Sequence, residues 1–360
     1  MPLNFLKQVF VFGLSAFVAT VLAAAMPARA QNIDPFENGW ILDAAASDLR
    51  FLSVKKGNVA ETSRFATLSG LITEDGKAQI RVLMDSVDTN IDLRNVRMRF
   101  LFFETFKHPE ATISVELDPA LLTDLHSTRR KMIDVDYSLD LHGVKVDRTA
   151  QVAVTLISND RVNVSATTPI ALKLAEFDLV GGQEKLQEAA NVTIVPLGIV
   201  SFDFVFDRSS PGTPPRLEQV NKNVVSGAAA ALETKGEFDR EACVGRFEIL
   251  SRTGNINFAP ASARLSQDST PLLDNIFDIV NRCPDLNVEI GGHTDSDGSN
   301  ATNQRLSERR ARAVSDYLRA RGISQARMKI VGYGEGRPLW PNDSATNKAR
   351  NRRIEFTVVN

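Results

Sequence analysis

Asp295 and Arg310 are the two side chains whose types and placement most directly suggest chemistry. Asp295 belongs to Gly291-Gly292-His293-Thr294-Asp295-Ser296-Asp297-Gly298, a strand-like segment that runs out into a polar loop. Arg310 follows in the segment from Asn303 to Arg321, whose periodicity is helical. At about 100° per residue, Leu306, Ala313, Val314, Tyr317 and Leu318 share one arc, which must face a core. Arg310 falls near the middle of that arc, whereas Arg305, Glu308, Arg309, Arg312, Asp316 and Arg319 fall outside it. A guanidinium centred on an apolar stripe is costly unless something anionic meets it. An aspartate and an arginine in one surface pocket can receive a zwitterion. The carboxylate takes the ammonium, and the guanidinium fork takes a carboxylate through two parallel hydrogen bonds. The competing reading is an ordinary intradomain salt bridge between the two.

Other chemistries find less support. Asp295-x-Asp297-Gly298 has the look of a calcium loop. Asn300 and Leu306, however, stand where an EF-hand needs its Gly at about the sixth place and its Glu at about the twelfth. His108, His126, His142 and His293 show no metal-ligand spacing. No G-x-S-x-G occurs, and no cysteine–histidine nucleophile pair is suggested. The expectation is a binding protein with no catalytic residues, no cofactor and no metal. An envelope enzyme with an unrecognised site is the alternative.

The elements that must position these residues fall into segments. Residues 1–30 read as a signal peptide: Lys7, an apolar run from Val9 to Ala25, Pro27, and Ala28-Arg29-Ala30 before Gln31. An uncleaved membrane anchor is the other reading. Export carries the chain to an oxidising compartment, where Cys243 and Cys283 are expected to form one disulfide rather than remain buried thiols. Residues 31–207 hold repeated period-two stretches, among them Ala78 to Met84, Thr112 to Leu117, Val152 to Leu156, Val162 to Ser165 and Val200 to Phe206. Such alternation gives antiparallel strands with one wet face, hence a barrel or sandwich. Residues 208–240 are a linker, opened by Ser209-Ser210-Pro211-Gly212-Thr213-Pro214-Pro215, with a helix expected from about Leu217 to Thr234. Residues 241–360 alternate between the two periods: Ile256 to Phe258 as strand, Pro271 to Arg282 as helix and Val288 to Gly292 as strand. The helix from Asn303 to Arg321 and strands over Met328 to Tyr333 and Arg353 to Val359 follow. That order fits an α+β domain of βαβαβ type. A net charge of −2 argues against nucleic acid as the main partner, since a phosphate backbone requires a clustered positive field.

Two resemblances sharpen this reading. Asn257-Phe258-Ala259, Gly292-His293-Thr294-Asp295, Asn303 to Ala311, Gly332-Tyr333-Gly334-Glu335 and the stretch from Asn342 to Glu355 resemble the OmpA-like peptidoglycan-binding domain, in order and with family spacing. The resemblance implies that Asp295 and Arg310 grip the meso-diaminopimelate of a peptide stem, that Thr294, Asn303 and Leu306 line the pocket, and that Arg353 helps to close it. Trp40 to Asp43, Met84 to Thr89, His108-Pro109, Leu139 to Val144 and Ile170 to Phe177 resemble the YceI-like family. This implies a lipocalin-like antiparallel barrel, whose lumen in some members holds an isoprenoid. Phe100, Phe102, Phe103 and Phe106 are candidates to line such a cavity, or else to fill a solid core. The chain departs from the family pattern at Asn95, before Phe102, and near Leu174 to Asp178. An eight-stranded outer-membrane barrel is the competing architecture, but with 3 Tyr and 2 Trp the aromatic girdles it needs are absent. The expected protein is a multidomain, wall-bound periplasmic one with outer-membrane association open, carrying peptidoglycan and an isoprenoid or other lipid as partners.

Overall fold

The computed structural model describes residues 34–223, 236–253 and 256–359; the expected signal peptide lies outside them. The first half is a closed antiparallel barrel of eight strand positions, several filled by two strands in line. In chain order the strands are β1 (Trp40–Leu42), β2 (Asp48–Lys55), β3 (Val59–Phe65), β4 (Leu68–Ile72), β5 (Lys77–Leu83) and β6 (Val87–Asp88). They continue as β7 (Glu110–Glu116), β8 (Arg130–Leu141), β9 (Val144–Ser158), β10 (Arg161–Ala166), β11 (Ile170–Lys173) and β12 (Leu197–Arg208). Closure comes from β12. One of its edges pairs with β10 and β11, the other with β1 and β2. Short helices α1 (Asp92–Arg97), α2 (Leu125–Thr128) and α3 (Val180–Ala190) interrupt the strands, and a π-helical turn, Met98–Phe102, continues α1.

The period-two pattern decides what faces in. Along β8, Arg130, Asp134, Asp136 and Asp140 are exposed, while Ile133, Leu139 and Leu141 are buried. A lipid-facing wall would present an apolar band outward and a polar lumen; this wall does the reverse, which excludes the outer-membrane architecture for this strand pair. The β8–β9 hairpin turns through His142 and Gly143 at φ 56° and 77°. Two successive residues in that region match the twist of the flanking strands.

The linker helix α4 is described over Leu217–Asn223, and the remainder of the expected helix lies outside the described residues. The C-terminal part contains α5 (Arg240–Thr253), α6 (Thr270–Asn281), α7 (Asn300–Ala320) and α8 (Ala345–Asn351). They accompany a sheet of β13 (Asn287–His293), β14 (Met328–Gly334) and β15 (Ile354–Val359), ordered β14-β13-β15. β13 runs parallel to β14 and antiparallel to β15. The expected strand over Ile256 to Phe258 is not part of this sheet. Asn257 instead exchanges hydrogen bonds with Ser266 and Ser269, and Phe258 makes an isolated bridge to Leu265. Local side-chain hydroxyls take the backbone groups a strand would have used.

Cys243 on α5 and Cys283 after α6 form the expected disulfide, at 2.06 Å and a sequence separation of 40. Beside it, Arg246 is 1% exposed and lies flat on Phe238, 3.7 Å from the ring centre, with Nη2 2.7 Å from Asp92 at the start of α1. Leu93 packs against Gly245, where a Cβ would stand 2.7 Å from it. The C-terminal part therefore docks on the barrel through α5 and α1. Closing a loop of this length restrains the unfolded chain by roughly 3–4 kcal/mol. Replacing both cysteines with serine is expected to lower the urea unfolding free energy by about that amount, read by the shift of the midpoint at unchanged slope.

Candidate functional site

Two glycines bring α7 onto the sheet. A Cβ at Gly292 would stand 2.0 Å from the Ser307 carbonyl oxygen, and one at Gly332 would stand 2.7 Å from the Ser307 hydroxyl and from the Glu308 amide. Gly291 faces the other side of β13, where a Cβ would stand 2.9 Å from the ring of Tyr333. The buried face of α7 is accordingly made of Asn303, Ser307, Ala311, Val314, Ser315 and Leu318. This corrects the expected helix face. Arg310 lies on its flank with Leu306, Ala313 and Tyr317, all half-buried, and is not at its centre. Hydrophobicity alone missed the true stripe because its contacts with the glycine strands require small side chains, two of them serines.

α7 begins where the Ser299 side chain accepts a hydrogen bond from the Thr302 amide. The loop before it is tied on several sides. The Thr294 amide donates to the Gly334 carbonyl at 2.9 Å. Asn303 Nδ2 donates to the Asp295 carbonyl at 3.3 Å and to Glu335 at 2.5 Å. Asp295 is 6% exposed. One carboxylate oxygen accepts from the Asp297 amide at 3.1 Å, and the other accepts from Arg352 Nη1 at 2.5 Å.

Arg310 forms no ion pair with Asp295, so the simple salt-bridge reading fails. Its Nε donates to the Ser262 carbonyl at 3.1 Å, and its guanidinium lies 5.0 Å from the centre of the Phe258 ring. Both terminal nitrogens are without a hydrogen-bond partner among the described residues. Burial draws the Arg310 pKa below its usual value, the Arg352 cation adds to that, and the Asp295 carboxylate opposes it. The three groups thus share one electrostatic neighbourhood. A fixed carboxylate and an arginine fork with two free donors are what a zwitterionic group needs.

The other expected residues divide. Thr294 and Asn303 are buried in the loop's support, Thr294 with its hydroxyl unpaired among the described residues, and Leu306 flanks Arg310. Arg353 points elsewhere: its Nη2 contacts Glu355 at 2.8 Å and the Arg337 carbonyl at 3.3 Å. Arg352 is the residue at Asp295. Neighbours entering a strand project to opposite faces, and the face reaching the pocket is that of Arg352. The resemblance pointed to Arg353 and left Arg352 unassigned; Ser262 gave no signal at all.

The barrel encloses a second site, a cavity of about 520 Å³ with almost wholly apolar walls. Phe102 and Phe103 line it as expected. Phe100 and Phe106 do not. They are buried outside the lining and stack on each other at 6.4 Å; Phe100 stands two residues from Phe102, on the opposite side of the helical turn. Neither the filled-core reading nor the full aromatic set survives.

Comparison with known proteins accords with this division. A family model described as a YceI-like domain matches residues 40–204, and one described as the OmpA family matches residues 257–352. The chain is 31% identical over 166 residues to outer membrane porin F of Pseudomonas aeruginosa, covering 44% of this chain and 47% of that protein. Peptidoglycan-binding protein ArfA of Mycobacterium tuberculosis is 27% identical over 244 residues, covering 68% of this chain and 62% of its own. The matches thus span less than two thirds of either relative. The solved polyisoprenoid-binding domain from Saccharophagus degradans is 36% identical, covering 47% of this chain and 98% of its own, with a TM-score of 0.44.

Behind the pocket, His293 Nε2 stands 3.1 Å from Glu355. That contact, then Arg353, draws the Glu355 carboxyl from 4.5 to about 2 against the opposing effect of burial. Burial pulls His293 below its usual 6.5. Both folded values are depressed, so the unfolded chain binds more protons on acidification and stability falls. Loss is expected to begin below pH 6.5 through His293 and to deepen from pH 4.5 toward 2 through Glu355. Melting temperatures across pH 7 to 2.5 test this, and Glu355→Gln should flatten the lower window.

Proposed function

We propose that the OmpA-family domain holds the peptidoglycan of the cell wall by the diaminopimelate of its peptide stem, and that the YceI-like barrel carries an apolar chain. The protein is then a wall-bound periplasmic binding protein, exported by residues 1–30, acting without turnover or cofactor. The observation that carries the first part is the free terminal fork of Arg310 in the same electrostatic neighbourhood as the buried Asp295 carboxylate. Diaminopimelate ends in an ammonium and a carboxylate on one carbon. The ammonium has Asp295 to meet. The carboxylate has the Arg310 fork, with Arg352 beside it. Arg352 also holds the Asp295 side chain in one orientation while the site is free. Relatives named for peptidoglycan binding, among them a peptidoglycan-associated lipoprotein of Legionella pneumophila at 35% identity over 99 residues, support the assignment. Outer membrane porin F supports a cell-envelope setting.

Charge-assisted hydrogen bonds contribute roughly 1.5–3 kcal/mol each. Asp295→Ala and Arg310→Ala are therefore expected to weaken co-sedimentation with purified diaminopimelate-type sacculi by about tenfold or more each. Unchanged pelleting of a folded double variant overturns the assignment. For the barrel, the supporting observation is the enclosed apolar cavity, whose size lies within the range of about 300–1,000 Å³ common to small-molecule sites. Native mass spectrometry of the full chain purified from its own envelope is expected to show a lipid-sized adduct that organic extraction removes; a bare polypeptide mass before extraction contradicts it.

A further inference from the structure

The cavity is not uniform along its length. Strand register places Ser53 opposite Glu61 and Lys55 opposite Val59 at the β2–β3 turn, with Lys55 also bridged to Ile194. At the other end β12 pairs Phe206 with Leu42, near Trp40. Every charged residue in the lining, namely Arg50, Lys55, Glu61, Arg94 and Arg97, comes from β2, β3 or α1. One carboxylate therefore faces four cations.

Most of those charges are accounted for. Arg50 pairs with Asp48 and is largely exposed. Glu61 is shared by Lys55 at 2.7 Å and Arg94 at 3.1 Å, and these two cations hold its carboxyl below the usual range against the effect of burial. Arg97, one turn along α1 from Arg94, is left over. It makes no ion pair among the described residues, and its Nε is buried without a hydrogen-bond partner. A guanidinium at the end of an apolar cavity is costly unless an anion meets it. In the same lining, Phe51, Phe65 and Phe103 form a ring cluster with centroids 5.4–6.3 Å apart, an apolar surface for a chain.

We infer that the α1 end of the cavity is a head-group site, with Arg97 as the direct contact, selecting an apolar chain that ends in a carboxylate or phosphate over one that ends in a neutral group. The inference rests on the barrel being a carrier and adds to it the chemistry of the cargo's polar end. Lys55 and Arg94 raise the positive potential there without being free themselves, since Glu61 already engages both. Among the described lining cations, Arg97 is the one that makes no ion pair.

The test compares tetradecanoate with tetradecanol as displacers of the neutral dye N-phenyl-1-naphthylamine from the full chain stripped of lipid. Tetradecanoate is expected to bind at least about tenfold tighter, as one charge-assisted contact allows. Arg97→Met should remove that preference by weakening tetradecanoate alone, and Arg97→Lys should keep most of it. Equal affinity of the two probes, or equal weakening of both by Arg97→Met in a variant that melts like the parent, overturns the head-group site while leaving the carrier reading intact. Failure of dye and both probes to bind at all overturns the carrier reading as well.

Discussion

The pocket depends on how closely one helix approaches one pair of strands. Gly292 and Gly332 leave the backbone and hydroxyl of Ser307 in the space two side chains would have filled. Ser307 then uses that hydroxyl twice, donating to the Gln304 carbonyl and accepting from the Gly334 amide at 2.9 Å. Fixed this way, the N-terminal turn of α7 puts Asn303 under the Asp295 loop and Arg310 two turns on, at the helix flank. A methyl group at Gly292 would overlap backbone, which a side-chain rotation cannot relieve, so the helix would have to lift and take Arg310 with it. The binding geometry is thus set by atoms that never touch a ligand.

This explains which parts could be read from the sequence. Strands such as β8 and β9 were legible because the barrel leaves one face wet and the other apolar, and period two records that directly. Asp295 and Arg310 were legible as a pair through their loop and helix and through the family motif. The helix face was misplaced because a stripe of Asn303, Ser307 and Ala311 carries no hydrophobic signal; only the glycines across from it reveal why it is buried. Arg353 was chosen over Arg352, the residue that meets Asp295, for a related reason. Their opposite directions follow from how β15 enters the sheet, and no local pattern states which side meets the loop. Phe100 fell outside the lining because two residues along a helical turn point to opposite sides, so it and Phe102 cannot both face the lumen.

The two sites belong to domains whose contact is itself built on charge. Arg246 is almost wholly buried, yet its charge is met by Asp92 across the contact and by the faces of aromatic Phe238, which Arg282 covers from 3.8 Å. Asp92 opens α1, the helix that also carries Arg94 and Arg97 into the cavity lining. The same α1 therefore contributes to the barrel's polar end and to the docking of α5. The disulfide between Cys243 and Cys283 secures α5 to the end of α6, and Ser251 on α5 accepts from and donates to Phe356 of β15. These ties lie within the C-terminal part and hold in place α5, the helix that meets α1.

Charge balance in the wall pocket bears on selectivity. Arg310 and Arg352 place two guanidiniums near one buried carboxylate, so the free site carries an excess of positive charge. A diaminopimelate terminus adds one ammonium and one carboxylate, and the carboxylate is the part that relieves the excess. A lysine stem, which ends in the ammonium alone, would bring a third cation toward two others and leave the Arg310 fork unmet. Like charges at close range in a half-buried site oppose each other by on the order of a few kcal/mol, and the unmet donors add a cost of roughly 1–3 kcal/mol. Discrimination on the proposed reading therefore comes as much from the charge the pocket rejects as from the contacts it makes, and it is Arg352, the residue the sequence left unassigned, that doubles that rejection.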